Sequence, residues 1–224
     1  ALIDWSYNLL TEEERRGLRA LSVFAGSWTL EAAEAVCTGE IDAVNLLGQL
    51  ADKSLIFTNP GAGDEMRYRM LETIRQYTHT RLVEAGEAGK ARGLHLMYYL
   101  DFAERLEPKL RGWEQIATLD TIESELDNLR LALDWGLQAD VEAELRLASA
   151  LKWFWHIRYH WTEGIGWLEQ GLEVEKKRRD DPSVHGRGTL VSAKAQLVLG
   201  FHLSRLELNQ VQKYIQQRRM AESN

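Results

Sequence analysis

The sequence predicts a mainly α-helical protein in which a small domain of three helices and a two-stranded hairpin precedes a region of helices only. One change in hydrophobic period, seen on its two sides, leads to this prediction. Residues 66–70 alternate apolar and basic side chains, as a strand with one buried face does. From Leu71 onward, apolar residues fall three to four positions apart, as in a helix. A strand therefore passes directly into a helix, and we place the domain boundary nearby, giving domains 1–85 and 86–224.

Three short helices are predicted before the hairpin. The first begins after Thr11, which forms a capping-box pattern with Glu14. The second begins at Thr29, and the third runs from about residue 41 to residue 52. Their predicted inward-facing residues are Leu18, Leu21, Val23, Phe24, Val44, Leu47 and Leu50 or Ala51.

A hairpin follows these helices. Residues 54–58 favour a strand, and the turn signal Asn-Pro-Gly-Ala-Gly-Asp at 59–64 separates it from the strand at 66–70. Met66, Tyr68 and Met70 are predicted to face the interior, which leaves Arg67 and Arg69 on the open face. Three helices and a two-stranded wing form the outline of a winged helix.

The remaining chain predicts paired helices, with the spans 71–84, 90–107, 113–138, 141–159, 162–179 and 189–219. Paired helices of this length suggest a superhelical repeat. The best unit, which begins near Leu145, places aromatic and small residues where a tetratricopeptide-like helix pair has them. Gly164 and Gly171 would let the two helices approach closely, whereas Lys152 and Tyr159 stand where such repeats usually have glycine.

Composition limits the function classes. The 224 residues carry a formal charge of −7 and a single cysteine, Cys37, which excludes an internal disulfide. No apolar run approaches the roughly 18–20 residues of a membrane span, and no signal segment is evident, so a cytoplasmic protein without a membrane contact is expected. The start at Ala1, within an apolar pattern, suggests a piece of a longer polypeptide.

The residues predict no enzyme in this chain. The phosphate loop Gly-x4-Gly-Lys-Ser/Thr is missing, and Gly61 lies in a turn signal. His156 and His160 share a helical face but lack an evident third metal ligand, so packing is favoured over a metal site. The acidic clusters lie at predicted helix ends or turns, where capping is favoured over acid–base catalysis. We expect no catalytic residue, bound cofactor or metal ion.

DNA binding is the main alternative, because winged helices often read the major groove with their third helix. Residues 1–84 contain eight Lys or Arg against thirteen Asp or Glu, a difference of −5. The third helix carries Asp42 and Asp52 against Lys53 alone, which disfavours binding to phosphate. Three arginines form the one basic patch and are predicted interdomain contacts: Arg67, Arg69 and Arg75.

An aromatic cluster predicts a second functional surface. Four of the eight tryptophans lie within fifteen residues, and one helical stripe cannot bury all of these rings together. The candidate contacts for an effector or partner are Trp153, Trp155, His156, Arg158, His160 and Trp161.

An ordered series of segments resembles one family. Residues 4–10, 21–26, 29–37, 50–56 and, most specifically, 67–77 resemble the winged helix that follows the ATPase module of bacterial signal-transduction ATPases with numerous domains (STAND proteins). Residues 125–135 and 161–169 resemble the tetratricopeptide-like sensor of the same family, which includes LuxR-type and AfsR-like transcriptional regulators. The resemblance covers roughly residues 1–175.

The resemblance implies a role for each part. The winged helix would pack against an upstream nucleotide-binding module that holds ATP and Mg²⁺ and lies outside this chain. The repeats would bind a small-molecule or protein effector. The alternative is a DNA-binding winged-helix transcription factor with a helical effector or dimerisation domain.

Overall fold

A computed structural model describes residues 2–38, 41–61, 65–180, 191–202 and 204. The chain divides into two compact units. Unit 1 comprises Ala1–Phe102 and Asp120–Trp135, and unit 2 comprises Ala103–Leu119 and Gly136–Asn224. These units do not coincide with the predicted domains 1–85 and 86–224, because residues 120–135 pack with the winged helix. As a division between functional parts, the boundary at residue 85 stays a prediction.

The first half of the chain contains six helices and three strands among its described residues. In chain order they are α1 Leu2–Asn8, α2 Glu12–Leu21, β1 Ser27–Thr29, α3 Leu30–Val36, α4 Ala43–Asp52, β2 Ile56–Pro60, β3 Met66–Met70, α5 Glu72–Glu84 and α6 Ala88–Leu106. The mainly helical fold class with an N-terminal winged helix is thereby confirmed, including the direct passage from β3 into α5.

Helices only follow α6 among the described residues. In chain order they are a 3-10 helix Glu107–Arg111, α7 Gln115–Ser124, α8 Leu126–Ala139, α9 Val141–Ala150, α10 Lys152–Ile157 and α11 Trp161–Asp180. Residues 191–202 are also helical, and the rest of the predicted helix 189–219, apart from residue 204, lies outside the described residues, as do residues 62–64 of the hairpin turn.

Local capping accounts for where the first helices begin. The Thr11 hydroxyl accepts from the Glu14 amide, and the Glu14 carboxylate accepts from the Thr11 amide, so the predicted capping box is confirmed. Thr29 caps α3, as predicted, and Asp42 caps α4. Each cap satisfies amides that have no partner within the helix.

The sheet of unit 1 has one strand more than the sequence predicted. Its order is β1-β3-β2 and both pairings are antiparallel, with Trp28 opposite Tyr68 and Ile56 opposite Met70. The strand β1 escaped prediction because three residues are too few to show a two-residue period. Trp28, Ile56 and Met70 are buried in the core of the winged helix together with Leu18, Leu21, Phe24, Leu46, Leu47 and Leu50.

Two predictions about facing directions are wrong. Val44 is 59% exposed, because the buried stripe of α4 runs through Ala43, Leu46, Leu47 and Leu50, and Val44 lies about 100° away from it. Met66 is 50% exposed whereas Arg67 is buried. Both faces of the central strand β3 are partly covered. The alternation of apolar and basic side chains therefore does not distinguish a solvent-exposed face from a buried one.

Two predicted helices are each divided. The span 113–138 is interrupted at Glu125, between α7 and α8, and the span 141–159 is interrupted at Leu151, between α9 and α10. Neither site has a glycine or proline, so the sequence carries no breaking signal there.

In unit 2, glycines permit close helix packing. A Cβ atom on Gly164 of α11 would lie 2.7 Å from the Trp155 ring, and one on Gly171 would lie 2.0 Å from Glu144 Oε2. The close approach predicted from these glycines is therefore present, with α11 against α9 and α10. The core of unit 2 includes Leu110, Leu145, Leu147, Ala148, Leu151, Phe154, Trp155 and Leu168. The assignment of these helices to tetratricopeptide-like repeats stays a prediction.

Candidate functional site

The helix-turn-helix of unit 1 is formed by α3 and α4, so α4 is the helix that would enter a DNA groove. Its outward face exposes Val44, Asn45, Gln49 and Asp52. The Gln49 amide nitrogen donates to Asn45 Oδ1 over 3.3 Å, so these two polar side chains already bond to each other. The face is polar and acidic rather than basic.

The cation next to this face, Lys53, is held by a carboxylate. Lys53 Nζ forms an ion pair and hydrogen bond with Glu14, whose side chain is buried. Burial opposes the charged form of Glu14, but the hydrogen bonds from Lys53 and Thr11 prevail, so the pKa of this carboxyl is lowered. Lys53 therefore ties the end of α4 to the start of α2, and its charge is offset before any phosphate approaches.

A buried polar network surrounds Arg67 of the central strand β3. Arg67 Nη2 lies 2.5 Å from Glu125 Oε1, Arg67 Nε donates to Ser27 Oγ over 2.9 Å, and both partners of the ion pair are buried. The Tyr99 hydroxyl donates to Glu125 Oε2 over 2.7 Å. Burial, and then the Glu125 charge, raise the pKa of Tyr99 well above its usual value.

Asn128 completes this network. Its Oδ1 accepts from the Ala25 amide over 2.7 Å, and its Nδ2 donates to the Ser27 carbonyl over 2.9 Å and to Glu125 Oε2 over 3.0 Å. Asn128 thereby satisfies backbone groups at the entry to β1. The start of α8 is thus bonded to two strands of the winged helix within unit 1.

The other two predicted interdomain arginines do not join the network. Arg69 is exposed on β3. Arg75 forms two hydrogen bonds with Glu72, one turn earlier on α5, at 2.7 and 2.8 Å. The arginine cluster predicted from the sequence is therefore split into one buried, one exposed and one locally paired side chain. Their role in contacts between domains stays a prediction.

The aromatic cluster of unit 2 centres on Trp153 of α10. Two cations approach its ring, with Arg111 Cζ 5.4 Å and Lys152 Nζ 5.3 Å from the centroid. The ring also packs edge to face with His156 and Phe201, both at 5.7 Å between centroids. Burial, and then the Arg111 charge, lower the pKa of Lys152. Cations on aromatic faces form a surface that suits an anionic or aromatic partner.

The remaining predicted contact residues have mixed surroundings. Trp155 is fully buried and Trp161 is nearly so, hence both pack in the interior of unit 2. His160 stacks on Phe154 at 5.9 Å, and its Nδ1 lies 3.9 Å from Glu163 Oε2. Arg158 is half-buried. A partner that docks on this cluster would meet Trp153, His156, Arg158 and His160 rather than the two buried rings, and the contact itself stays a prediction.

Sequence reasoning did not identify Glu125, Asn128 or Glu144 as structurally important. Glu125 and Asn128 lie three positions apart, and this helical spacing could have indicated two polar side chains on one face. Glu144 has no exposed surface, and neither carboxylate oxygen has a hydrogen-bond partner. Burial raises its pKa to about 8.

No group of three His, Cys, Asp or Glu side chains among the described residues is arranged to hold a metal ion. None of the helices in this part of the chain combines the length and the apolar character that a bilayer crossing requires.

Comparison with known proteins agrees with the order of helices and strands in unit 1. Residues 10–83 match the family model of the winged helix-turn-helix domain. This segment is a winged helix-turn-helix domain. It contains α2 to β3 and almost all of α5, and so includes α4 and the wing.

Similar proteins come from mycobacteria. A Mycobacterium tuberculosis (strain H37Rv) protein with the name "Putative HTH-type transcriptional regulator Rv0890c" is 36% identical over 202 residues, which cover 88% of this chain and 23% of that protein. A Mycobacterium bovis protein with the corresponding name shows the same values. An uncharacterised M. tuberculosis protein is 36% identical over 93 residues, covering 39% of this chain and 23% of its own length.

The chain spans about a quarter of the length of the curated relatives that it matches. No solved structure is significantly similar to it.

Proposed function

We propose that this chain is a regulatory segment of a bacterial, cytoplasmic transcriptional regulator, in which the winged helix makes protein contacts and the helical unit binds an effector. Similarity to mycobacterial proteins with regulator names supports the general role. The STAND-like segments support a nucleotide-binding module, with ATP and Mg²⁺, elsewhere in the full-length protein. No catalytic step is assigned to this chain itself.

One observation favours protein contact over DNA contact for the winged helix. The outward face of α4 presents Asp52 and uncharged side chains, while Lys53 is engaged by Glu14. DNA binding draws most of its affinity from cations that neutralise phosphates. A recognition helix that offers an acid and no available cation would be repelled by the duplex.

Direct DNA binding is the second candidate, and the comparisons favour it at least as strongly. The domain is a winged helix-turn-helix, and the relatives are named as HTH-type regulators. Within unit 1, Asn45 and Gln49 are exposed on α4, and amide side chains of this kind pair with adenine in the major groove. Arg69 is exposed on the wing and can reach a phosphate.

A titration with duplex DNA decides between the two candidates. The probe is a fluorescently labelled, mixed-sequence duplex of 30 base pairs. If the winged helix contacts protein, the anisotropy of this duplex should not reach a binding plateau at micromolar protein in 150 mM salt. Saturation that weakens steeply with salt, and that is reduced by Arg69→Gln, would establish the DNA-binding candidate instead. Arg179→Gln, which changes an exposed arginine of unit 2, is the matched control for the loss of one positive charge.

The effector role is tested separately. In the full-length protein, Trp153→Ala should abolish the response to the effector without changing nucleotide binding by the upstream module. Val83→Ala provides a control, since Val83 is an exposed apolar residue of unit 1. An unchanged response in the Trp153→Ala protein would remove this surface from the proposal.

A further inference from the structure

Unit 1 contains a cavity of about 270 Å³ between the end of α2 and helices α5, α6 and α8. Its polar lining residues include Arg75, His79, Arg92, His95 and Asp134. Two guanidinium groups thus face one carboxylate, in a chain whose formal net charge is −7. The volume lies at the small end of the range for ligand pockets.

Arg92 is the cationic side chain of this cavity that is available to bind a ligand. Its Cζ lies 5.1 Å from the centroid of the Trp135 ring, and its Nη2 lies 2.8 Å from His79 Nε2. No carboxylate of the described residues forms an ion pair with it, whereas Arg75 is paired with Glu72. A guanidinium held between an indole face and an imidazole can donate its other N–H groups to an incoming anion.

The contact with Arg92 determines the protonation of His79. A guanidinium can only donate, so His79 Nε2 accepts, and the proton of the neutral ring must be on Nδ1. Burial, and then the charges of Arg92 and Arg75, lower the pKa of His79, which keeps the ring neutral. The Nδ1 atom is buried and has no hydrogen-bond partner. A residue that lines the cavity therefore carries a buried N–H donor that no protein acceptor uses.

His95 adds an independent observation. It is 2% exposed, its ring is tilted against those of Phe24 and Tyr99 at centroid distances of 5.2 and 4.7 Å, and its Nε2 has no hydrogen-bond partner. Buried polar atoms without partners are uncommon in native proteins. Two histidines that line one cavity thus each carry such a nitrogen, and the same cavity is lined by an arginine without a carboxylate partner.

The rest of the lining is apolar, with contributions from Val23, Leu131 and Trp135. We propose that this cavity binds a small organic anion, a carboxylate on a flat apolar body. The carboxylate accepts hydrogen bonds from Arg92 and His79, and the apolar body packs against Leu131 and Trp135. The site lies entirely in unit 1, and it is independent of the proposed roles in DNA or effector binding.

Titration calorimetry with the whole chain tests the site, with benzoate as the probe, benzamide as its uncharged analogue and inorganic phosphate as a bare anion. Benzoate should saturate the protein below a concentration on the order of 10 mM. Benzamide, and benzoate with the Arg92→Gln variant, should bind about tenfold or more weakly, because each lacks a charge-assisted hydrogen bond. Arg179→Gln, an exposed arginine outside the cavity, should bind benzoate as the wild type does.

Imidazole ¹⁵N spectra give a second readout, since benzoate should shift the His79 Nδ1 resonance. If Arg92→Gln does not fold, as judged by circular dichroism, His79→Phe removes the other donor and supplies the same comparison. The proposal is overturned by a lack of benzoate saturation, by equal binding to wild type and variant, or by phosphate binding without benzoate binding.

Discussion

The buried carboxyl of Glu144 should make the stability of this protein fall as the pH rises, and Glu144→Gln should abolish this dependence. The side chain has no exposed surface and no hydrogen-bond partner, and Gly171 lets its Oε2 atom approach the backbone of α11. Charging it in place is costly, because nothing nearby compensates the lost hydration.

The magnitude follows from the shift of the pKa from 4.5 to about 8. In this interval the folded state holds a proton that the unfolded state has lost, so the free energy of unfolding decreases with pH. Below about pH 4.5 both states are protonated, and the full stability is present. Between pH 5 and pH 7.5 the wild type should lose about 3 kcal/mol relative to Glu144→Gln, at 1.36 kcal/mol per pH unit.

Urea denaturation of both proteins, followed by far-ultraviolet circular dichroism at pH 5 and pH 7.5, measures this difference. Other titrating groups cancel in the comparison, since only residue 144 changes. Glu142→Gln, on the exposed side of the same helix, is the control and should change stability by less than about 0.5 kcal/mol at either pH. A gap between wild type and Glu144→Gln that does not grow with pH would refute the argument.

Three other outcomes are expected. Arg67→Met leaves the Glu125 carboxylate buried without its cation and should cost about 3–5 kcal/mol in urea denaturation, with part recovered by adding Glu125→Gln. Gly171→Ala should destabilise the fold because its Cβ would meet a side-chain oxygen at 2.0 Å, whereas Gly93→Ala, with open space around it, should be neutral or stabilising by up to about 1 kcal/mol. Cys37, whose pKa burial raises to about 12, should react with iodoacetamide at pH 8 at least about a hundredfold more slowly in the folded than in the unfolded protein.

The elements of the winged helix were predictable because their signals are local. The Thr11 capping box and Thr29 each mark a helix start within four residues, and the Pro60-Gly61 turn separates two apolar runs. β1 could not be found in this way. It is a strand because residues 67–69 lie beside it, forty positions along the chain, and no local pattern records that pairing.

The breaks in the long helices have a similar origin. Glu125 lies between α7 and α8 without glycine or proline, and its carboxylate is bonded to Arg67, Tyr99 and Asn128. Its partners lie between three and fifty-eight positions away in the sequence. Periodicity over a window of about fifteen residues detects the helices on either side but not the contact that ends one and begins the next.

The candidate sites were predicted less well. From a sequence, the charge and burial of each residue are inferred separately, without its partner in the fold. On its own, Arg67 looks like a solvated strand residue and Glu125 like a residue of an exposed helix face. Each can be buried only because the other supplies the opposite charge, and because Tyr99 and Asn128 satisfy the remaining carboxylate oxygen. Residues 67–77 and 125–135, two of the segments in which the sequence analysis found a family resemblance, each carry one half of this ion pair. The pair bonds the residue that precedes α8 to the central strand of the winged helix, and neither segment alone reveals it.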